Sequence, residues 1–318
     1  MPPCDGAPFL TDGGIETTLI FHYGLDLPAF ASFPLLDSGP GQAALRRYFQ
    51  TYTDLARRLR LGLVLESPTW RASPSWAAQL GYPVAGLASI QHRSIAMMEE
   101  FRRQMDAAGL PSLISGNLGP RGDGYVVSSL MTAGEAEAYH RPQVEAFTAT
   151  EADLVCALTL NYVEEAIGIA QAARTAAMPV VLSFTVETDG RLPTGETLQR
   201  AIESTDAATD GYPSYYMSNC AHPTHLLAGV GTSGPWRARV RGVRANASSL
   251  SHAELNDSTE LDAGDPEDFG ALHSRLKSHF PSLCVIGGCC GTDERHVEEA
   301  CRALGPGAGG RDGPPVVS

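Results

Sequence analysis

The alternation of short apolar runs with longer amphipathic segments is the feature that most restricts how this chain can fold. Eight runs of strand length recur along the sequence, and several are rich in Val, Ile or Leu at successive positions. Such runs are typical of parallel strands that are buried on both faces. The eight runs are residues 9–11, 61–66, 113–117, 154–158, 179–184, 215–219, 240–245 and 283–287.

The segments between the runs have the residue spacing of helices. Apolar residues recur at three- and four-residue steps from Leu45 to Leu59, which predicts one buried helical face. The same spacing follows the last run, where Thr292 is in position to cap the final helix. Eight strand–helix units in a chain of 318 residues predict an α/β fold, a single-domain (β/α)8 TIM barrel.

An open, doubly wound sheet is the alternative architecture. It is disfavoured because residues 12–16, after the first run, lack the G-x-G-x-x-G spacing of a dinucleotide site. We therefore assign residues 1–304 to the barrel and the Gly/Pro-rich residues 305–318 to a flexible tail. Insertions at residues 68–83 and 118–125 follow strands, and we expect them to decorate the C-terminal face of the barrel.

Charge and hydropathy restrict the partners and the compartment. A formal net charge of -13 repels phosphate backbones, so we expect no nucleic acid partner. No apolar run is long enough to span a membrane, and residues 1–5 lack the pattern of a secretion signal. We expect a cytoplasmic protein, in which clustered cysteines stay reduced and serve as metal ligands or catalytic groups. The sequence does not indicate an oligomeric state.

Polar side chains gather just beyond the C-terminal ends of the predicted strands. In a closed barrel these ends converge on one mouth, where barrel enzymes do their chemistry. We therefore predict that residues far apart in sequence share one site. The residues in these positions are Asp12, Glu66, Asn117, Thr159, Asn161, Glu187, Asn219, Cys220, Asn246, Cys289 and Cys290.

A pair of adjacent cysteines is the most specific of these features. Residues 287–291 read Gly-Gly-Cys-Cys-Gly. Neighbouring side chains on a strand point to opposite faces, so Cys289 and Cys290 can bind one metal ion only at a turn, which the flanking glycines permit. Cys220, after the sixth run, is the natural third ligand. Three thiolates leave a tetrahedral Zn²⁺ ion one open position, as in a catalytic site.

Other interpretations of the same residues stay open at this point. Cys289 and Cys290 can form a vicinal disulfide or a plain tight turn, and His222 or His225 can supply a further ligand. A redox protein that uses the cysteine pair is a weaker alternative, because the pair lacks the two-residue spacer of dithiol catalysts.

Three thiolates around zinc make an electron-rich centre that is poor at activating water. Such a centre suits an incoming thiol, whose pKa falls from about 8.5 into the neutral range when it is bound as thiolate. The bound sulfur can then attack a methyl group on a positively charged sulfur or nitrogen. No catalytic side chain is needed beyond the zinc-activated thiol, and the protein positions two small molecules and excludes water.

With these residues in place, the sequence resembles the zinc-dependent homocysteine S-methyltransferase family, barrel enzymes that use betaine or S-methylmethionine without cobalamin. Residues 286–291 are similar to the family's glycine-glycine-cysteine-cysteine signature, and residues 218–223 resemble the segment that holds its first zinc ligand. The resemblance implies Cys220, Cys289 and Cys290 as the ligands of Zn²⁺. It also implies methyl transfer from a small onium donor to homocysteine or a related thiol or selenol, giving methionine or its analogue.

Shorter similarities extend to the substrate pocket. Residues 11–17 resemble the opening aspartate-glycine segment near which the family binds its amino acid substrate, and residues 115–120 resemble the glycine-proline loop after strand three. Position 246 holds an asparagine, as in the family after strand seven. The predicted substrate contacts, taken with the strand-end positions, are Asp12, Gly13, Glu66, Asn117, Thr159, Asn219 and Asn246.

Departures from the family leave the identity of the thiol open. After strand four the family carries a glutamate-threonine pair whose glutamate contacts the substrate's amino group, and here those positions are Leu158 and Thr159. Glu66 ends strand two where relatives usually have a neutral residue. We hypothesise that Glu66 replaces the missing carboxylate, and the alternative is that it pairs with an arginine such as Arg71.

The sequence does not fix the methyl donor. Trp70, Trp76, Tyr82 and Tyr125 lie in the two insertions, where their rings can attract a methylated cation or simply pack the loops. Acidic residues near the mouth also favour a cationic donor. The alternative to an enzyme is a non-catalytic or repurposed metabolite-binding barrel with a retained zinc site.

Overall fold

The eight apolar runs form eight parallel strands that close into a barrel in sequence order, with the last strand paired to the first. This computed structural model describes residues 8–127, 129–258 and 260–305. The predicted tail at residues 305–318 lies outside this described part, apart from Gly305. The strands are β1 Phe9–Leu10, β2 Gly62–Glu66, β3 Ser112–Leu118, β4 Leu154–Leu160, β5 Val180–Phe184, β6 Tyr215–Asn219, β7 Val240–Ala245 and β8 Val285–Gly288.

Helices connect the strands and cover the outside of the barrel. The prediction of a (β/α)8 TIM barrel is confirmed, and the open-sheet alternative is wrong. No helix in the described part of the chain is long and apolar enough to cross a membrane. The α-helices are α1 Ile15–Thr17, α2 Gly39–Leu59, α3 Pro74–Gln79, α4 Leu87–Ala107, α5 Ala133–Thr148, α6 Val163–Thr175, α7 Leu198–Thr209, α8 Pro223–Ala228, α9 His252–Asp257, α10 Pro266–His279 and α11 Glu294–Leu304.

Short helical turns of other kinds complete the connections. Thr18–His22 is a π-helical turn that continues α1. The 3₁₀ turns are Pro28–Phe30, Phe33–Asp37, Val84–Gly86 and Pro235–Arg239.

Strand β4 is longer than the sequence predicts. The apolar run ends at residue 158, whereas the strand continues to Leu160 with a register shift between Ala157 and Leu160. The shift lies at Thr159, whose φ of 61° is a left-handed backbone conformation that a β-branched residue seldom adopts. The bulge places Thr159 at the mouth of the barrel, beside the end of β6.

Two apolar layers hold the barrel together. The larger one lies between the strands and the surrounding helices and includes Phe49, Phe101 and Phe147. A smaller cluster fills the barrel interior, and its members include Val64 and Tyr215. Burial of each large side chain stabilises the fold by about 1.5–3 kcal/mol. The interior cluster fills the barrel, and the polar side chains Asp12, Glu66 and Asn219 lie at the end where the strands finish.

The final helix begins one residue later than the sequence predicts. Asp293, and not Thr292, caps α11: its carboxylate accepts a hydrogen bond from the Arg295 backbone N–H at 3.0 Å. Thr292 instead donates its hydroxyl to the Cys289 carbonyl at 2.7 Å. The threonine therefore holds the turn that carries the paired cysteines.

Candidate metal and substrate site

The ends of β6 and β8 bring three cysteines together. Cys220 directly follows β6, and Cys289 and Cys290 directly follow β8. Their three sulfur atoms all lie within 4.8 Å of one another. Within the described ranges, no other group of three or more Cys, His, Asp or Glu side chains lies close enough to hold a metal ion.

This cluster has the composition of a zinc site, and its sulfurs are close enough together to share one ion. Tetrahedral zinc with Zn–S bonds of about 2.3 Å needs sulfurs about 3.8 Å apart. The Cys220 and Cys289 sulfurs are in contact, with Cα atoms 5.4 Å apart, so this pair can form a disulfide when oxidised and two metal ligands when reduced. Cys290 is a free thiol, so the vicinal disulfide considered from the sequence is not formed.

The cysteine cluster needs a nearby cation if its thiols are to lose their protons and become thiolates. Burial, together with the nearby Glu16 carboxylate, raises the pKa of the Cys290 thiol to about 11. A thiolate in this place is therefore costly without a positive partner, whereas a bound divalent ion deprotonates a coordinating thiol outright. The residues present fit a zinc ion.

The turn after β8 is built so tightly that only small residues fit. A Cβ on Gly288 would lie 2.0 Å from the Thr292 hydroxyl, and one on Gly14 would lie 2.4 Å from the Cys289 carbonyl oxygen. The Cys289 N–H donates to the Ala245 carbonyl at 2.8 Å, which ties the turn to the end of β7. These contacts fix the positions of both cysteines.

Cys220 is held by three of the predicted substrate-contact residues. Its backbone is left-handed, with φ 55°. The Asn219 side-chain amide donates to the Cys220 sulfur at 3.2 Å, and its carbonyl oxygen accepts from the Thr159 N–H at 2.8 Å. The Asn246 amide donates to the Cys220 carbonyl at 3.0 Å. Asn219, Thr159 and Asn246 therefore support the cysteine as well as lining the mouth.

The two histidines considered as ligands lie apart from the sulfurs. His222 Nδ1 is bonded to the Thr224 hydroxyl at 2.7 Å, and His225 Nε2 to the Ser249 carbonyl at 3.0 Å. Sequence reasoning missed His252 at the start of α9, whose Nε2 donates to the Cys220 carbonyl at 2.5 Å. The sequence around His252 predicts a helix start and gives no sign that the loop folds back over the site.

A cavity, here called the inner cavity, extends from the sulfurs toward the barrel axis. It contains six of the seven predicted substrate contacts, and the seventh, Asn246, lies outside it. It has an empty volume of about 590 Å³. Its lining includes Asp12, Gly13, Glu16, Phe30, Glu66, Trp70, Asn117, Tyr125, Thr159, Asn219, Arg244 and the cysteines Cys220, Cys289 and Cys290.

Asp12 forms a buried ion pair that the sequence does not predict. Its carboxylate lies 2.8 Å from Arg244 Nη2, and both side chains are about 95% buried. Asp12 also accepts hydrogen bonds from the Tyr48 hydroxyl and the Thr11 hydroxyl, each at 2.9 Å. Arg244 spans from β7 to the β1 loop and also donates to the Gly288 carbonyl. Protein groups therefore already neutralise the Asp12 charge.

Glu66 is a buried carboxyl group with unused hydrogen-bonding capacity. Its Oε2 is buried and has no hydrogen-bond partner among the described residues. Burial raises the pKa of Glu66 to about 7, and the attraction of Arg244 opposes this only in part. Glu66 does not pair with Arg71, which lies against Asp123, and the arginine that attracts its carboxylate is Arg244.

Glu16 is a second carboxyl group in the inner cavity, and sequence reasoning missed it. It follows the short β1 strand, in α1, and accepts a hydrogen bond from the Ser32 hydroxyl at 3.0 Å. Burial raises the pKa of Glu16 to about 7. The aspartate-glycine segment pointed to this loop, but nothing in its pattern indicated which side chain faces the cavity.

A wider depression, here called the outer groove, opens from the inner cavity to the surface, with an empty volume of about 1840 Å³. Thr17, Phe30, Trp70, Tyr125 and Cys290 line both spaces, so the Cys290 side of the sulfur cluster stands at their junction. The outer groove also includes Phe21, Arg71, Asp123, Val126, Glu187, Asn246 and His252.

Only two of the four predicted donor-binding aromatics line the outer groove. These are Trp70 and Tyr125. Tyr82 instead donates its hydroxyl to Asp37 at 2.6 Å and packs edge-on against Phe33. The Arg71 guanidinium already covers one face of the Trp70 ring at 4.1 Å. One face of Tyr125 stacks on His252, with the ring centroids 4.0 Å apart.

The chain is similar to one protein family over almost its whole described length. The model of the family described as homocysteine S-methyltransferase matches residues 9–304. No curated protein sequence gives a significant match.

Solved structures of one bacterial enzyme have the same fold. The metallated form of homocysteine methyltransferase MmuM from Escherichia coli has a TM-score of 0.69 at 21% identity, covering 94% of this chain and 97% of that chain. Its oxidised form has a TM-score of 0.70 at 22% identity, covering 93% and 96%. At these identities the likeness establishes the fold alone.

Proposed function

We propose, since the chain belongs to the homocysteine S-methyltransferase family, that this S-methyltransferase moves a methyl group from a small onium donor to homocysteine, with Zn²⁺ held by Cys220, Cys289 and Cys290. The family match agrees with the resemblance drawn from the sequence. The donor, the metal and the substrate contacts are the parts that we propose beyond the family. One of the solved MmuM structures is a metallated form, which supports a metal in this family.

The observation that carries this proposal is the position of the sulfur cluster between two spaces. The inner cavity on one side is the smaller space and includes the buried polar side chains Asp12, Glu66 and Arg244, and the outer groove on the other side is wider. When bound, zinc supplies the positive charge that keeps an incoming thiol in its thiolate form near neutral pH. A donor that enters from the groove presents its methyl group on the opposite side from the acceptor's chain.

The carboxyl groups of the inner cavity suit the amino group of an amino acid thiol. Asp12 is committed to Arg244, whereas Glu66 has a buried oxygen without a partner. An ammonium group that enters the cavity gives Glu66 a partner and lowers the cost of its charge. We therefore propose that Glu66 takes the role of the carboxylate that is absent at Leu158.

Asn219 and Thr159 hold the Cys220 sulfur in position for metal binding. The Asn219 amide donates to this sulfur, and its carbonyl oxygen also accepts from the Ser183 hydroxyl at 2.7 Å. Hydrogen bonds from outer groups fix the orientation of metal-binding side chains, and their loss typically weakens metal binding by about 10–100-fold. Phe30, Trp70 and Tyr125 cover the junction and exclude water from the reacting atoms.

The charge of the outer groove favours a cationic donor. Glu187 and Asp123 line the groove near the junction, and Tyr125 contributes an aromatic ring there. Carboxylates and ring faces both attract a methylated sulfonium or ammonium group. The lining of the outer groove therefore favours a methylated onium donor, which is also the donor class that the sequence indicates.

A donor-by-acceptor assay tests the proposed function. Zinc-loaded, reduced protein is incubated with homocysteine and, in turn, betaine, S-methylmethionine, dimethylsulfoniopropionate or S-adenosylmethionine, and methionine is measured. We expect methionine from at least one onium donor and none from the Cys290→Ser variant. Zinc-loaded protein that makes no methionine from any of these donors would contradict the proposal and favour the repurposed barrel.

A further inference from the structure

Arg71 lines the outer groove, and its planar guanidinium is stacked between two tryptophan rings. Its guanidinium carbon is 4.1 Å from the Trp70 ring centroid and 3.6 Å from the Trp76 ring centroid. The residue is only 6% exposed. Stacking on both faces fixes the plane of the guanidinium, so its N–H groups can point only outward along that plane.

The hydrogen-bonding capacity of Arg71 is mostly unused. A guanidinium has five N–H donors. Nη1 donates to the Gly122 carbonyl at 3.3 Å, and the Asp123 carboxylate lies 3.9 Å from Nη2, beyond hydrogen-bond distance. Nε is buried and has no hydrogen-bond partner among the described residues. A buried cation with free donors is costly unless a ligand completes its bonds.

Two acidic residues of the outer groove, Asp123 and Glu187, also have partners other than Arg71. The Asp123 carboxylate accepts hydrogen bonds from the Tyr125 and Val126 backbone N–H groups, at 2.8 and 3.0 Å. Glu187 lies against His252, with 3.1 Å between the Glu187 oxygen and Nδ1. Burial lowers the pKa of Arg71 to about 10, so the side chain is cationic at neutral pH. Among the described residues, Arg71 is the one arginine or lysine that lines the groove.

We infer that Arg71 is a residue that determines donor specificity, because it binds the carboxylate of a donor whose methylated onium centre lies near the sulfur cluster. The inference deepens the proposed function and rests on it. Arg71, Trp70, Tyr125 and Cys290 line the same groove, so one small molecule can place its onium end near the sulfur cluster and its carboxylate on Arg71. The planar guanidinium then pairs with the planar carboxylate.

Binding titrations without an acceptor test the inference separately from catalysis. Calorimetry compares betaine, S-methylmethionine and dimethylsulfoniopropionate with the methyl ester of each, which keeps the onium group and removes the carboxylate's charge. We expect the acid of the preferred donor to bind wild-type protein about 10- to 100-fold more tightly than its ester, the range of a charge-assisted hydrogen bond. We expect Arg71→Gln to remove this preference and Arg71→Lys to keep part of it.

Arg121→Gln is the matched control. Arg121 lies in the neighbouring loop, where its guanidinium donates to Ser129, and it does not line the groove, so this variant keeps the wild-type preference. Equal binding of acid and ester by wild-type protein overturns the inference, and so does an unchanged preference in a folded Arg71→Gln variant. The wild-type comparison decides even if that variant does not fold.

The same titration separates this inference from the proposed function. Preferential binding of the acids without any methyl transfer contradicts the methyltransferase proposal but not the role of Arg71. Methyl transfer from acids and esters with the same KM contradicts the role of Arg71 and leaves the methyltransferase proposal intact.

Discussion

At the scale of single residues, the charge of the inner cavity depends on how three carboxyl groups, those of Asp12, Glu66 and Glu16, are neutralised. Asp12 is paired with Arg244 at 2.8 Å, whereas Glu66 and Glu16 have no such cation as a direct ion-pair partner among the described residues. Burial therefore raises the pKa of both glutamates to about 7. These two groups are the ones whose charge a bound ammonium can stabilise.

Replacement of Glu66 by glutamine tests its proposed contact with the acceptor. Glu66→Gln keeps the shape of the side chain and removes its charge, so we expect the KM for homocysteine to rise about 10- to 100-fold, while the KM for the donor changes little. Steady-state kinetics with each substrate varied in turn measure both values. An unchanged KM for homocysteine would show that Glu66 does not bind the acceptor.

The pH dependence of acceptor binding adds a second readout. Glu66, with a pKa of about 7, loses its negative charge as the pH falls, so we expect the KM for homocysteine to rise as the pH falls through about 7. This rise should be weaker in Glu66→Gln than in Glu16→Gln, where Glu66 is still present. Identical pH profiles of KM in Glu66→Gln and wild type contradict the assignment.

Several important residues could not be found from the sequence. Arg244 lies in a strand that also carries Arg241, Glu16 in the short helix α1, and Arg71 in an insertion, and only the fold determines what each of them faces. The cysteines could be found because adjacent thiols between glycines are rare and have few uses. Their proximity to Cys220 follows from the closure of the barrel, which brings the ends of β6 and β8 to one mouth.

At the scale of elements, the turn between β8 and α11 holds the two cysteines and is supported by the loop after β1. The Gly14 α-carbon lies against the Cys289 carbonyl, and the Gly14 N–H donates to the Thr292 carbonyl at 3.1 Å. The first and last strands of the barrel therefore meet at the turn that carries the paired cysteines. A substitution in the β1 loop should therefore alter the positions of the Cys289 and Cys290 sulfurs.

Replacement of Gly14 by alanine tests this support. The added Cβ would lie 2.4 Å from the Cys289 carbonyl oxygen, so we expect a loss of about 1–3 kcal/mol in the free energy of unfolding and weaker zinc binding. Gly14 has φ -78°, so the effect is a steric one and not a backbone strain. Denaturant unfolding and competition with a zinc chelator measure the two effects.

Gly134→Ala is the matched control for this replacement. A Cβ on Gly134, in the first turn of α5, meets nothing within 4 Å. We expect unchanged zinc binding and equal or slightly higher stability, because alanine favours a helix over glycine. A Gly14→Ala variant that matches this control in both measurements would contradict the proposed support.

The sequence predicted the order and the type of the elements. It predicted the residues at which they begin and end only in part. The apolar runs located all eight strands because parallel barrel strands are buried on both faces. The bulge at Thr159 was missed since an unusual φ in a β-branched residue depends on tertiary contacts, here with Asn219. The cap of α11 was misplaced by one residue because Thr292 and Asp293 are both good capping residues and Thr292 bonds to the cysteine turn.

At the scale of the whole molecule, barrel closure is what creates the site. β6 and β8 are not neighbours, yet both are hydrogen-bonded to β7, and their ends open at the same mouth. Cys220 and Cys289 are 69 residues apart in sequence and in contact in space. An open sheet would not bring the β1 loop to the same place, so the fold and the proposed chemistry depend on each other.

The zinc content of freshly purified, reduced protein tests the central claim most directly. The claim is that the sulfurs of Cys220, Cys289 and Cys290 together bind one ion. We expect about one zinc per chain in the wild type and in Cys301→Ala, whose cysteine is buried in α11 away from the cluster. We expect Cys220→Ser to lose the metal while keeping its fold, as judged by circular dichroism. Wild-type protein without zinc affinity, or a Cys220→Ser variant that retains zinc as tightly as Cys301→Ala, would contradict the account.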